Sequence, residues 1–277
     1  MSDCSNNIGE CLAYLFENVV STVFSAFSSL WSVKDDDDEA RLPPDWTLAT
    51  IDIEKLIIFV FLSCFFFVLN MFLWETMWLK PMKLLAVFVH EMSHAIACWL
   101  TCGEVLAIKV FSNEGGVTHF RGGIQLCIIP AGYLGCAFWG AVFVALSGGR
   151  IASTIVASLI SIALLISLFY SPNRVMIKLS LGFFVLTVGC IAIEWYVFSP
   201  FLNFLTLYYG VSIGTFSVYD IRDDLIMRTV QGSDAYACYE IIPCCYPKCV
   251  GVQFILIALV FQVIGIYLAL VWLTTKG

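Results

Sequence analysis

Residues 88–98 read Phe-Val-His-Glu-Met-Ser-His-Ala-Ile-Ala-Cys, and His90, Glu91 and His94 stand there among residues suited to lipid or a protein core. Side chains four apart on a helix share a face, so the imidazoles of His90 and His94 can reach a single cation. Glu91 stands beside them, where a carboxylate can take a proton from a metal-bound water. The chain has only 3 histidines, and two of them are here. Insertion scales charge about 2.5–3.5 kcal/mol for an acid at the centre of a membrane helix, so such groups usually face a bundle interior or a wet cavity. The plainer reading is two histidines hydrogen-bonded to neighbouring helices, because the short pattern also arises by chance. The apolar setting favours the metal.

That setting holds along most of the chain. Of 277 residues, 60% are hydrophobic and 13% charged, with a mean hydropathy of +0.91. Soluble domains carry roughly 45–50% apolar residues. A membrane protein that crosses the bilayer several times follows. A formal charge of −7 and the lack of a basic stripe exclude a nucleic-acid partner.

A span needs about 20 apolar residues. Seven stretches meet or approach that length: Leu56–Leu79, Leu84–Leu100, Ile124–Ser147, Ile151–Tyr170, Val175–Val197, Phe198–Phe216 and Gly251–Leu273. Between the second and third, Gly103–Gly123 is polar, and Gly115-Gly116 and Gly122-Gly123 bracket a strand-like Val-Thr-His-Phe. The expected fold is an all-α polytopic membrane bundle of about seven spans, with a small β-hairpin between spans two and three. Residues 1–50 are expected to be a cytosolic segment with an amphipathic helix over Leu12–Trp31 and an acidic linker at Asp35–Glu39. Residues 51–277 form the membrane domain.

If seven spans alternate, ten lysines and arginines fall on the amino-terminal side and four on the other. The positive-inside rule then places the amino terminus, the hairpin and the 217–249 loop in the cytosol. The first ten residues carry no basic residue ahead of an apolar run, so insertion is expected to be driven by the first span. Of the 12 cysteines, Cys64, Cys98, Cys127, Cys136 and Cys190 fall within apolar spans as free thiols. Cys238, Cys244, Cys245 and Cys249 are too irregularly spaced for paired knuckles and read as reduced thiols, ahead of lipid attachment or a structural zinc.

Zinc in a catalytic site takes three protein ligands and leaves one position for water. His119, in the hairpin, is expected to be exposed. The better third ligands are aspartates beyond the sixth span: Asp234, in Gly-Ser-Asp-Ala, with Asp224 as the alternative. Asp223 and Asp224 can instead cap a helix or pair with Arg222 or Arg228. Glu194, followed by Trp195 and Tyr196, reads as the interfacial end of its span, ahead of a partner for a polar neighbour.

Several stretches together carry a family resemblance. They are His90–Ala95, Glu114-Gly115-Gly116-Val117-Thr118, Arg121-Gly122-Gly123, Pro130–Gly135, Tyr219–Leu225 and Ser233-Asp234-Ala235. In this order the chain resembles the M50B-like branch of the site-2-protease family of intramembrane metallopeptidases over about residues 85–250. The resemblance implies one zinc ion held by His90, His94 and a distant aspartate, with Glu91 activating water. It also implies that Gly115, Gly116, Gly122 and Gly123 shape a hairpin that guides a substrate strand. The implied partners are transmembrane proteins or peptides and the lipid bilayer, and the implied activity is zinc-dependent cleavage within or beside a transmembrane helix. A departure is the missing Leu-Asp-Gly context for the distant ligand. The rival class is a non-proteolytic scaffold or a transporter. Transporters often show internal symmetry between halves, and none is visible here.

Overall fold

The cluster of titratable groups is positioned by three helices and a hairpin, and their directions decide its place. The structure is a computed structural model, described over residues 53–197, 200–222, 234–241 and 247–274. Its elements are α1 (Ile53–Leu73), α2 (Lys80–Leu100), β1 (Glu104–Val110), β2 (Gly116–Arg121), α3 (Gln125–Leu146), α4 (Arg150–Tyr170), α5 (Arg174–Tyr196), α6 (Phe201–Ile221), α7 (Asp234–Ile241) and α8 (Pro247–Thr274). The amphipathic segment and acidic linker expected before residue 50, Asp223, Asp224, Cys244 and Cys245 lie outside the described residues.

The helices begin where the sequence permits. Pro81 occupies the first turn of α2, where its missing N–H leaves no bond unmade, and α6 starts directly after Pro200. Gly149 and Asn173, both extended, precede α4 and α5. Among the described residues, six helices are long and apolar enough to cross a membrane: α1, α3, α4, α5, α6 and α8. The fold is thus a helical membrane bundle, and the two-stranded antiparallel sheet lies between α2 and α3 as expected.

Cross-helix contacts fix direction. Phe66 meets Tyr208 edge-on at 5.2 Å, Asn70 Nδ2 donates to Ser212 Oγ at 3.0 Å, and the Trp74 ring lies 6.1 Å from Phe216. Both numberings rise together, so α1 and α6 are parallel. Ser217 Oγ donates to the carbonyl of Tyr133 at 3.2 Å, whereas Gly210 rests on Val144, so α3 runs against α6. Tyr133 touches Phe254 and Gly265 sits on Ala141, so α8 follows α3. Ser167 meets Ser180 at 2.8 Å across the antiparallel pair α4 and α5. Thr187 meets Tyr209, and Glu194 meets Leu202, so α5 opposes α6. Six spans therefore alternate in direction.

The second expected span, now α2, stands outside that alternation. Lys83 Nζ lies 4.5 Å over the Trp74 ring. Cys136 Sγ bridges the carbonyls of Ala86 and Ile213, and His90 Nδ1 is 3.9 Å from Asp220 Oδ2 on the last turn of α6. Rising from 83 to 90, α2 climbs with α6 and so keeps the direction of α1. Its 21 residues would reach about 32 Å at 1.5 Å per residue. Lys80, Lys83, His90, Glu91 and His94 nevertheless make it too polar to stand in lipid, and it is largely buried against its neighbours.

The hairpin returns along α2. At its base the Gly103 amide donates to the carbonyl of Cys98 at 2.8 Å, and at its tip Glu114 pairs with Lys83 at 3.2 Å. Register runs from Glu104↔Arg121 to Val110↔Gly116, with an irregularity between Val105 and Ala107. Gly122 and Gly123, both at φ +73°, turn the chain into α3 in a conformation glycine adopts at little cost.

Glu194 is buried rather than interfacial: the second of the two sequence readings, a polar partner, holds. It accepts the Leu202 amide at the start of α6 and pairs with Arg150. Cys238 and Cys249 are free thiols, as are Cys64, Cys98, Cys127, Cys136 and Cys190.

Candidate metal centre

His90 and His94 project from one face of α2 toward α3 and α7. Their Nε2 atoms are 3.2 Å apart, and Asp234 Oδ2 lies 3.0 Å from each. Asp234 is the first residue of α7, where a negative charge is favoured by the helix dipole. The helix reaches the imidazoles by packing on α3. Tyr133, on α3, meets the His90 ring edge-on at 4.8 Å and holds its plane.

The donor set fits a cation. His94 Nδ1 is 2.7 Å from the carbonyl of Ile128. A carbonyl only accepts, so that nitrogen carries the proton and Nε2 presents a lone pair. Asp234 Oδ2 is buried and, although at ion-pair distance from both rings, has no hydrogen-bond donor in good geometry. Three electron-rich atoms facing one another without a donor are ordinarily held together by a metal or by protons. Ligand atoms on a tetrahedral zinc, each about 2.0–2.1 Å from the ion, are about 3.3 Å apart. The three atoms here are 3.0–3.2 Å apart, close to that edge length.

Gly132 supplies the space. A Cβ at this position would collide with His90 Nε2, His94 Nε2 and Asp234 Oδ2 together. The bare backbone of α3 therefore closes one side of the cluster without filling it. When the rings are protonated instead of metal-bound, burial still raises the Asp234 carboxyl, but the imidazolium charges of His94 and His90 outweigh it and hold the group well below the usual carboxylate range.

Glu91, 5% exposed, stands on the next face of α2 and meets the hairpin. Thr118 Oγ1 is 2.6 Å from Glu91 Oε2 and 2.9 Å from the Glu91 carbonyl, and a Cβ on Gly116 would collide with the Glu91 side chain. Of the four hairpin glycines singled out in the sequence, Gly116 touches this group. Gly115 lies in the turn, and Gly123 lies at the base beside Thr101 and Ile128. His119 lies outside the cluster, 3.2 Å from Lys109 Nζ. Thr118 and Gly132 escaped the sequence reading as site residues; both were within motifs already quoted, but their roles depend on packing. Asp220, in the aspartate tract that begins at Tyr219, stands 3.9 Å from His90 Nδ1.

A helical membrane bundle with two imidazoles one turn apart, a partly buried aspartate brought to them by a separate helix and a glutamate alongside defines the class: a membrane protein with a candidate His-His-Asp metal centre. The family model for Peptidase M50B-like proteins matches residues 62–265, more than half of the chain, and the chain belongs to that family. No curated protein and no solved structure matches it.

Proposed function

We propose that the protein is a zinc-dependent intramembrane endopeptidase acting on membrane-protein substrates, with His90, His94 and Asp234 as zinc ligands and Glu91 as general base. The observation that carries this is the convergence of three lone-pair atoms beside a buried glutamate. Zinc bound there would polarise the scissile carbonyl and acidify a water. Glu91 would take a proton from that water and return it to the leaving amine. Tyr133 and the Ile128 carbonyl would keep the imidazoles oriented.

A helical substrate hides its carbonyls, so it must unwind before attack. Each strand of the two-stranded sheet leaves one edge to be paired, and a chain added along β2 would run past Glu91. The hairpin glycines would keep that edge clear. The substrate is a transmembrane protein or peptide presented from the bilayer.

Orientation follows from the six alternating spans. The face bearing the hairpin, the end of α6 and the start of α8 also bears Lys109, Arg121, Arg174, Lys178, Arg222 and Lys248. Among the described residues the opposite face bears Lys55 and Arg150. Six against two favours a cytosolic hairpin, as the sequence suggested. Because α2 does not reverse the chain, the start of α1 then shares the opposite, non-cytosolic face with the end of α8.

The test is a pair of variants. Purified protein should hold about one zinc per chain, lost in the His90→Ala, His94→Ala double variant. Glu91→Gln should retain zinc and lose cleavage. If membrane proteomes of cells carrying native protein and Glu91→Gln were identical, the protein would be a scaffold rather than a protease.

A further inference from the structure

We propose that Thr118 is the positioning residue for Glu91, and that the hairpin exists in part to deliver it. The inference rests on the protease reading above and deepens it. Glu91 sits on α2 with a carboxylate that could rotate among several directions. Action as a general base needs one of them, with an oxygen turned toward the water that a metal at His90 and His94 would hold. The Thr118 hydroxyl lies 2.6 Å from Glu91 Oε2 and 2.9 Å from the carbonyl of the same residue, so it spans side chain and backbone at once. Donating to Oε2, it takes up one lone pair there and fixes the plane of the carboxylate.

The surrounding contacts make this a fixed arrangement. Gly116, two residues earlier and on the same face of β2, lies so close that any side chain would strike Oε1 and Cδ of Glu91. The carboxylate is thus walled by bare backbone on one side and held by a hydroxyl on the other. Lys83 grips the hairpin tip through Glu114, and the Gly103 amide ties its base to the Cys98 carbonyl. Both ends of the strand pair are therefore anchored to the helix that carries Glu91. Asn173 Nδ2 adds a third tie by donating to the Val110 carbonyl at 2.6 Å. The register of Thr118 against Glu91 is set by three contacts outside the pair.

The experiment has two arms. In the first, Glu91→Cys and Thr118→Cys are combined and oxidised in membranes, and the cross-linked peptide is sought by mass spectrometry. Formation is expected, because the Thr118 oxygen lies within hydrogen-bond distance of the Glu91 backbone. Absence of the cross-link would overturn the proposal whether or not a substrate is cleaved.

In the second arm, cleavage of a fluorogenic peptide is measured in micelles, the peptide being one apolar helix broken by Gly-Pro near its end. Thr118→Val keeps the shape and strand preference of the residue and removes the hydroxyl. It should lower kcat by about tenfold or more, as general-base steps contribute roughly 10²–10⁴-fold, with KM and bound zinc unchanged. Thr118→Ser should restore kcat to within a few-fold. Serine as impaired as valine, or a loss appearing in KM, would make Thr118 a structural residue and end the proposal. An inactive Glu91→Gln beside a fully active Thr118→Val would sink the positioning role alone. An active Glu91→Gln would sink the protease reading itself.

Discussion

Glu194 Oε2 accepts the backbone N–H of Leu202 at 2.8 Å, while Oε1 lies 3.4 Å from Arg150 Nε. One buried acid thus caps the start of α6 and ties it to α4 and α5. Removing it orphans an amide at a helix start and a guanidinium partner. Glu194→Ala should destabilise the bundle by about 2–3 kcal/mol, the worth of hydrogen bonds to a charged group. Glu194→Gln, which keeps an acceptor, should lose less. Thermal unfolding in detergent reads both, and an unchanged Glu194→Ala would refute the account.

Gly132→Ala places a methyl group among the far ends of three side chains rather than against backbone. Those side chains can swing aside, so the fold should survive while their convergence does not. The expected outcome is at least a tenfold loss of zinc affinity, on the scale of losing a coordination-shell contact, with an unchanged helical circular-dichroism spectrum.

Gly140 makes the opposite kind of contact. Its ideal Cβ would lie 2.8 Å from the Gly214 amide nitrogen, where α3 crosses α6 backbone to backbone. Gly140→Ala should cost about 1–3 kcal/mol, as overpacked cores do. Gly189, on α5, has open space around it. Gly189→Ala should be neutral or stabilising by up to about 1 kcal/mol, from helix propensity alone. Equal effects at the two glycines would contradict the packing.

Single cysteines introduced at Glu54, at the start of α1, and at Lys248, at the start of α8, should react with an impermeant maleimide from opposite sides of the membrane. Labelling of both from one side would show that α2 reverses the chain.

Much of this was legible in residues 88–98. Helical periodicity pairs His90 with His94, and their apolar neighbours raise the value of every polar group. The spans were legible for the same reason, since length and apolarity are local properties. The direction of α2 was not. Its hydropathy is intermediate, and whether it turns back depends on the Trp74 and Phe216 rings that receive its first turn. Asp234 could be named but not placed, because no local pattern says which acidic residue a loop will carry back to the imidazoles. Glu194 was misjudged because its aromatic followers suggested an interface, while its partners, Arg150 and Leu202, are distant in sequence or hidden in a backbone amide.

The contact between His90 and Asp220 puts the imidazoles level with the final turn of α6, close to the face where the hairpin emerges. A bond hydrolysed at that height would divide its substrate unequally. The larger remnant would keep nearly a whole hydrophobic segment and stay in the bilayer, and the smaller would depart on the hairpin face with few apolar residues to hold it there.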